Sequence, residues 1–308
     1  MHCSDRKEDK IMVGKQERRY QRMITVVLAL ISLIMVIPLV LLVVASFTSN
    51  NEIVLHGYSF FPKELSLEAY RYIWNERAQV FHAYGITILV TAIGTTIGVM
   101  MTLLHAYVLA HEKFPGKTFL AFYLFFTMLF NGGLVPTYIM YTRYLHMKNT
   151  IPALIIPGLL MSAFNVILTR TYIQSNVPAA LSEAAKIDGA TEFQVFRKVV
   201  LPMCKPIIAT VGLFAGLGYW NDWTNGLYYI TDTNKFSIQQ LLNNMIKNIE
   251  FLSKNANSNI NLASVGGGIP QETVRMAIAI VGLLPILIVF PFVQKYFVKG
   301  ISIGAVKG

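Results

Sequence analysis

Side chains able to do chemistry are sparse in this chain and gather in two short stretches. Residues 183–202 read EAAKIDGATEFQVFRKVVLP, and residues 219–223 read YWNDW. The first sets Glu183, Lys186 and Asp188 among the small residues Ala184, Ala185, Gly189 and Ala190, so charge is offered where another backbone can approach closely. The second sets Asn221 and Asp222 between Trp220 and Trp223. Hydrolysis needs a nucleophile and base held together, or a metal, and neither stretch supplies such a constellation. No catalytic residue is therefore expected. His56, His82, His105 and His111 lie on different loops and span ends without metal-ligand spacing, so no metal site is expected either. Cys3 and Cys204 form neither a disulfide framework nor a zinc set. The run Gly266-Gly267-Gly268 lacks the Lys and Ser/Thr that would make it a phosphate-binding loop.

The elements that position these residues belong to a membrane protein. Of 308 residues, 54% are hydrophobic and 14% charged, and the mean hydropathy is +0.51, which predicts an all-α polytopic chain in a lipid bilayer. A spanning helix takes about 20 apolar residues. Six windows qualify: Met23–Ala45, Phe81–Leu104, Phe119–Met140, Ile151–Leu168, Ile207–Tyr219 with a polar continuation, and Met276–Phe292. The first is too long, and too poor in small residues at its end, for a cleaved signal peptide. The expected organisation is a polar segment 1–22, a six-helix domain 23–297 and a tail 298–308.

A net charge of +10 would suggest nucleic acid in a soluble protein, but no basic patch interleaves with aromatics, and the cations flank the spans. They set orientation instead. Arg6, Lys7, Lys10, Lys15, Arg18, Arg19 and Arg22 precede the first span and predict a cytoplasmic N-terminus; six spans return the C-terminus to the same side. The segment Arg170–Lys205, beyond the fourth window and carrying Arg170, Lys186, Arg197, Lys198 and Lys205, then also faces the cytoplasm. Phe47–Val80 and Asn221–Arg275 become the outer connections.

No window carries an Asp, Glu, Lys or Arg near its centre, which disfavours an ion-coupled secondary carrier. Energy for transport must come from another polypeptide. Gly94 with Gly98, and Gly212 with Gly216, have the spacing that lets helices pack closely in lipid. Asn131-Gly132-Gly133 with Pro136 predicts a kink in the third window, either lining a pathway or purely structural.

Within 176–206 the pattern is helix, break, helix. Asn176 is available as N-cap and Pro178 fits a first turn, Gly189 suits a left-handed helix end, and a second helix over 191–200 puts Phe193, Phe196 and Val200 on one face. Pro202 and Pro206 close the unit. An amphipathic helix lying on lipid is the competing reading, but such helices are mainly basic, and this one mixes both signs.

Glu183-Ala184-Ala185, Asp188-Gly189-Ala190, Phe196, Leu201-Pro202 and Pro206 resemble the EAA signature of the transmembrane subunits of bacterial ATP-binding cassette importers, with every customary position filled. Tyr219-Trp220-Asn221-Asp222-Trp223 and the tail Lys299–Gly308 are similar to the carbohydrate permeases of the maltose-type class, in particular the second permease. The run from Asn131 to Pro136 is similar to a subgroup linked with complex oligo- and polysaccharides.

The resemblance implies a type I importer fold in the bacterial plasma membrane, with both termini cytoplasmic. It also implies a homologous sister permease, an ATPase dimer, an extracytoplasmic solute-binding protein and a carbohydrate substrate. No cofactor belongs to this chain; ATP and Mg would be bound by the ATPase. Glu183, Ala184, Ala185, Asp188, Gly189, Ala190, Phe196, Leu201 and Pro202 would form the ATPase-coupling element. Asn131, Trp220, Asn221, Asp222 and Trp223 would border the sugar pathway, although anchoring at the membrane interface is the commoner use of such tryptophans. Residues 225–275 would meet the binding protein or act as a spacer, and the tail would touch the ATPase or fray. The EAA signature is shared with importers of peptide or phosphate, so another solute remains an alternative.

Overall fold

A computed structural model of the protein describes residues 15–111, 114–255 and 271–305. In chain order its helices are α1 (Lys15–Ser46), α2 (Asn50–His56), α3 (Glu68–Asn75), α4 (Arg77–Ala110), α5 (Lys117–Leu129) and α6 (Leu134–Ile139). They continue with α7 (Pro152–Ile155), α8 (Ala163–Asn176), α9 (Ala179–Ile187), α10 (Glu192–Val195), α11 (Leu201–Met203), α12 (Lys205–Trp220), α13 (Thr224–Tyr229), α14 (Ile238–Asn255) and α15 (Gln271–Ala305). Strands are absent among the described residues, apart from one isolated bridge between Thr48 and Leu65. Cys3, Arg6, Lys7, Lys10, Gly266–Gly268 and Val306–Gly308 lie outside the described residues. The helical backbone of α15 continues to Ala305, past the expected start of the tail.

Among the described residues three helices are long and apolar enough to cross a membrane: Arg19–Ser46, Arg77–Ala110 and Gln271–Pro291. The third window is a bent pair, Lys117–Leu129 with Leu134–Tyr144 at 114°, whereas the fifth lies within α12, which meets the preceding Glu192–Met203 at a bend of 81°. The expected kink at 131–136 is thus present. Gly133 makes it, at φ +85, with its N–H donating to Asn131 Oδ1 at 2.8 Å; Pro136 merely sits in the first turn of α6, where its missing N–H costs nothing.

The fourth window differs from its expectation as one span. It is a short α7, a non-helical stretch 156–162, and then α8. Pro157 has no N–H to extend α7, and Gly158 turns the chain at φ +72. This shift puts Arg170 midway along α8, with its Nε buried and unpaired, where the sequence reading had placed it beyond a span.

The chain divides into two compact units, one from residues up to Tyr72 with the stretch ending at Ile280, the other from Ile73–Gly267 and from Val281 onward. In the first unit, the Tyr70 ring stacks on Phe47 with centroids 4.8 Å apart, and its hydroxyl lies 2.8 Å from Ser46 Oγ. The Glu52 carboxylate accepts the backbone N–H groups of Lys63 and Glu64, and Asn50 Oδ1 accepts that of Glu272 at 3.0 Å.

In the second unit α4 is the spine, crossed by α12 and α8. The glycine pairs act as expected. A Cβ on Gly94 would overlap the Tyr219 ring, and one on Gly98 would stand 2.7 Å from the Leu160 carbonyl oxygen. Gly216 and Gly212 face Thr95 and Val99 at ordinary contact distance. Backbones approach this closely only where side chains are missing.

Ile155 and Pro157, at the start of the break in the fourth window, are buried, so their carbonyls need donors. Tyr219 Oη donates to Ile155 O at 2.9 Å, and Asn225 Nδ2 donates to Pro157 O at 3.0 Å. A similar repair occurs in α15, where Pro285 removes the donor that Val281 O would receive. Tyr84 Oη donates to that oxygen, and Trp220 Nε1 donates to Gly282 O at 3.4 Å. α14 buries Ile238, Leu241, Leu242, Met245 and Ile249, one stripe at helical spacing.

Candidate functional site

The corner joining α9 to α10 is built by two successive caps. At the end of α9, the Gly189 N–H donates to Lys186 O at 3.0 Å and the Ala190 N–H to Ala185 O at 2.9 Å. With Gly189 at φ +81, this is the paired closure that ends a helix through a left-handed residue. Thr191 then opens α10 with a capping box, exchanging side-chain and backbone bonds with Gln194. The chain therefore reverses in a fixed shape without any core beneath α9, none of whose residues is buried.

The corner presents Glu183, Ala184, Asp188 and Gly189, all exposed, around Ile187, which is 86% exposed. Ala185 and Ala190 are half-buried against the bundle. An isoleucine this bare, flanked by carboxylates, is poorly suited to water and well suited to a partner pocket. Two expectations are corrected here. Asn176 ends α8, its side chain donating to Tyr172 O at 3.0 Å, and Pro178 rather than Asn176 precedes α9. Phe193 does not share the buried fate of Phe196 and Val200 but is 64% exposed.

The other sequence-predicted coupling residues serve the corner from behind. Phe196 is buried, its ring 5.2 Å from that of Tyr107. It begins a π turn, Phe196–Val200, that leads into α11. Leu201 and Pro202 line an open groove of about 510 Å³ with Val99, Leu103 and Lys205. Glu192 ties the pieces: its carboxylate pairs with the Lys186 ammonium, accepts the Tyr107 hydroxyl at 2.9 Å and lies 3.9 Å from His111 Nε2.

The second predicted stretch is mostly structural glue. Trp220 is half-buried and hydrogen bonded to α15 as described, and Asn221 Nδ2 donates to Leu217 O at 3.0 Å. Asp222 Oδ1 accepts the N–H groups of Thr224 at 3.1 Å and Asn225 at 3.3 Å, opening α13; burial nevertheless pushes its carboxyl pKa up. Trp223 is the open one, 43% exposed, with Lys247 Nζ 5.9 Å from its ring centroid. Asn131 is also exposed but sits on the bent α5–α6 pair, apart in sequence from these four.

A polar clasp unforeseen from the sequence lies next to α13. Asn149, at φ +59, accepts the N–H groups of Thr231 at 2.6 Å and Asp232 at 3.1 Å, while its Nδ2 donates to Thr231 Oγ1. The Asp232 carboxyl is held below its ordinary value by the Lys235 ammonium and then by the Asn234 N–H. Among the described residues no group of His, Cys, Asp and Glu could hold a metal ion.

Residues 94–303, which include the corner and both repaired helices, match the family of binding-protein-dependent transport system inner membrane components. The chain belongs to that family. It is 35% identical over 293 residues to the polygalacturonan/rhamnogalacturonan transport system permease protein YtcP of Bacillus subtilis (strain 168), covering 95% of this chain and 100% of YtcP. It is 26% identical over 290 residues to the arabinooligosaccharides transport system permease protein AraQ of Halalkalibacterium halodurans, covering 93% and 96%. Among solved structures, a chain of a bacterial ABC transporter involved in the import of the acidic polysaccharide alginate superposes with TM-score 0.75 at 28% identity, covering 92% of this chain and 98% of that one.

Membership in the transport-permease family agrees with the expected all-α permease architecture and its apolar helices. The features that sequence reasoning missed are Ile187, the Thr191–Gln194 cap, Tyr107 with Glu192, Asn149 and the Tyr219 repair. Only Ile187 and the cap left a sequence signal, the first as a lone large apolar residue between Lys186 and Asp188. The others act across 64 to 85 positions of chain, a distance that no local pattern encodes.

Proposed function

We propose that this chain is the permease subunit of an ATP-driven, binding-protein-dependent importer of oligo- or polysaccharides in a bacterial plasma membrane. It lines half of the pathway, paired with a homologous sister permease. An ATPase dimer carrying ATP and Mg docks on its cytoplasmic side, and a solute-binding protein delivers sugar from outside. Both termini are cytoplasmic, in keeping with Arg19 and Arg22 ahead of the first span.

The observation that carries the coupling role is the α9–α10 corner: a doubly capped reversal with Ile187 bare and Glu183 and Asp188 beside it. A loop serving only as a connection has no use for an exposed isoleucine on a fixed frame. ATP-driven closure of the ATPase pair would move this corner and, with it, the spans. The carbohydrate assignment is supported by the names of similar proteins, and Trp223 offers an open ring for a pyranose face.

The test is co-purification followed by a substrate panel. The solubilised permease should retain an ATPase and a sister permease, and its cognate binding protein should bind uronate or pentose oligosaccharides. Retention of neither subunit would reject the importer reading, and binding of peptide or phosphate with no sugar bound would reject the substrate class.

A further inference from the structure

The α9–α10 corner is held to the bundle by buried Val195 and Phe196 and, on its polar side, by a charged side chain reaching toward the long span α4. Glu192 stands at the first turn of α10, with Lys186 of α9 on one carboxylate oxygen and Tyr107 of α4 on the other. Tyr107 is only 9% exposed and is fixed in place by ring contacts to Phe196 at 5.2 Å and to His111 at 4.7 Å. The His111 imidazole, from the residue after α4, closes the third side at 3.9 Å.

An exposed Lys–Glu pair by itself contributes little. The hydroxyl-to-carboxylate bond is different: it is charge-assisted, its donor is held by packing, and it spans two elements far apart in the chain. Tyr107 stands near the end of α4, the same helix whose Gly94 and Gly98 faces carry α12 and the broken segment after α7. A displacement of α9 therefore has a short physical route, Lys186 to Glu192 to Tyr107, into the helix against which the rest of the second unit packs.

We propose that Glu192 is a positioning residue of the import cycle, clasping the docking corner to the inner end of α4 so that the two move as one body. The proposal rests on the coupling role assigned above to the corner. Neither Tyr107 nor Glu192 need touch the ATPase or the sugar.

The test is a pulsed electron paramagnetic resonance distance between spin labels at Ala180→Cys on α9 and Leu104→Cys on α4, both exposed positions. It uses the whole reconstituted importer in a Cys3→Ser background, compared without nucleotide and with MgATP and vanadate. With Tyr107 and Glu192 intact, the distance distribution should keep its position and width in both states. In Tyr107→Phe, which removes one oxygen and keeps the ring packing, the nucleotide state should broaden about twofold as α9 moves without α4; Glu192→Ala should do the same.

Retention of the ATPase subunit is measured on every sample. A folded parent permease that retains no ATPase refutes the coupling reading itself, before any distance is taken. Distributions in both variants that match the parent overturn the clasp, as does a parent whose own distance shifts with nucleotide. Loss of the ATPase from Tyr107→Phe also overturns it, since the bond would then serve docking shape rather than transmission.

Discussion

The hydroxyl of Tyr219 donates to the carbonyl oxygen of Ile155 at 2.9 Å, across the point where the fourth apolar segment stops being helical. That bond is buried, so removing it leaves an acceptor with no water to turn to. Tyr219→Phe should lower stability by about 1–3 kcal/mol. Thermal unfolding of the assembled importer in detergent measures it, and a melting temperature equal to that of the parent would show that the break is satisfied in another way.

The ring of the same tyrosine lies against Gly94, and two glycines of α4 separate cleanly in their surroundings. Gly94→Ala forces a methyl group into the ring and should cost about 1–3 kcal/mol. Gly85→Ala meets nothing within 4 Å and should be neutral or slightly stabilising. The yield of folded complex by size-exclusion chromatography separates the two; equal yields would remove the close crossing of α4 and α12 from the account.

Gly189 has open space around it but a backbone at φ +81, so strain rather than clash governs substitutions there. The cost should follow the ease of left-handed backbone: least for Gly189→Asn, more for Gly189→Ala, most for Gly189→Val, at about 1–2 kcal/mol for an ordinary residue. ATP-dependent import should fall in that order while the bundle stays folded. Val and Asn variants that import equally well would mean the corner need not keep its shape.

Charge on the corner should matter through the partner and not through this chain's own stability. Glu183 is exposed and sits on a helix with no buried residue. Glu183→Lys should therefore leave the melting temperature of the isolated permease unchanged while import falls about tenfold or more, equivalent to about 1.4 kcal/mol of coupling. Calorimetry checks the first effect, and ATP-dependent uptake into right-side-out vesicles checks the second.

How much of this could be read from the sequence depended on whether the cause was local. Gly189 was legible because a glycine after a short helix of small residues suits a left-handed end, and the kink at Gly133 because Asn131-Gly132-Gly133 stands ahead of Pro136; the Thr191–Gln194 cap, although local, went unread. The glycine pairs of α4 and α12 were legible as packing faces because their spacing is helical. The fourth segment was not: hydropathy counts apolar residues whether or not they are helical, so the Pro157-Gly158 break hid inside a continuous apolar run. The roles of Trp220 and Tyr84 were hidden for a related reason. Each answers a carbonyl freed or loosened by Pro285 in a helix some 60 to 200 positions away, and only the fold brings them there.

The clearest measurement is a cross-link from the corner itself. A short thiol-reactive photocrosslinker placed at Ile187→Cys, in a Cys3→Ser background within native membranes, should give a covalent adduct of permease and ATPase. The same reagent at Phe61→Cys, which replaces a residue 90% exposed in the first unit, should give no such adduct. An adduct from neither site, or equally from both, would contradict the assignment of the α9–α10 corner as the ATPase dock.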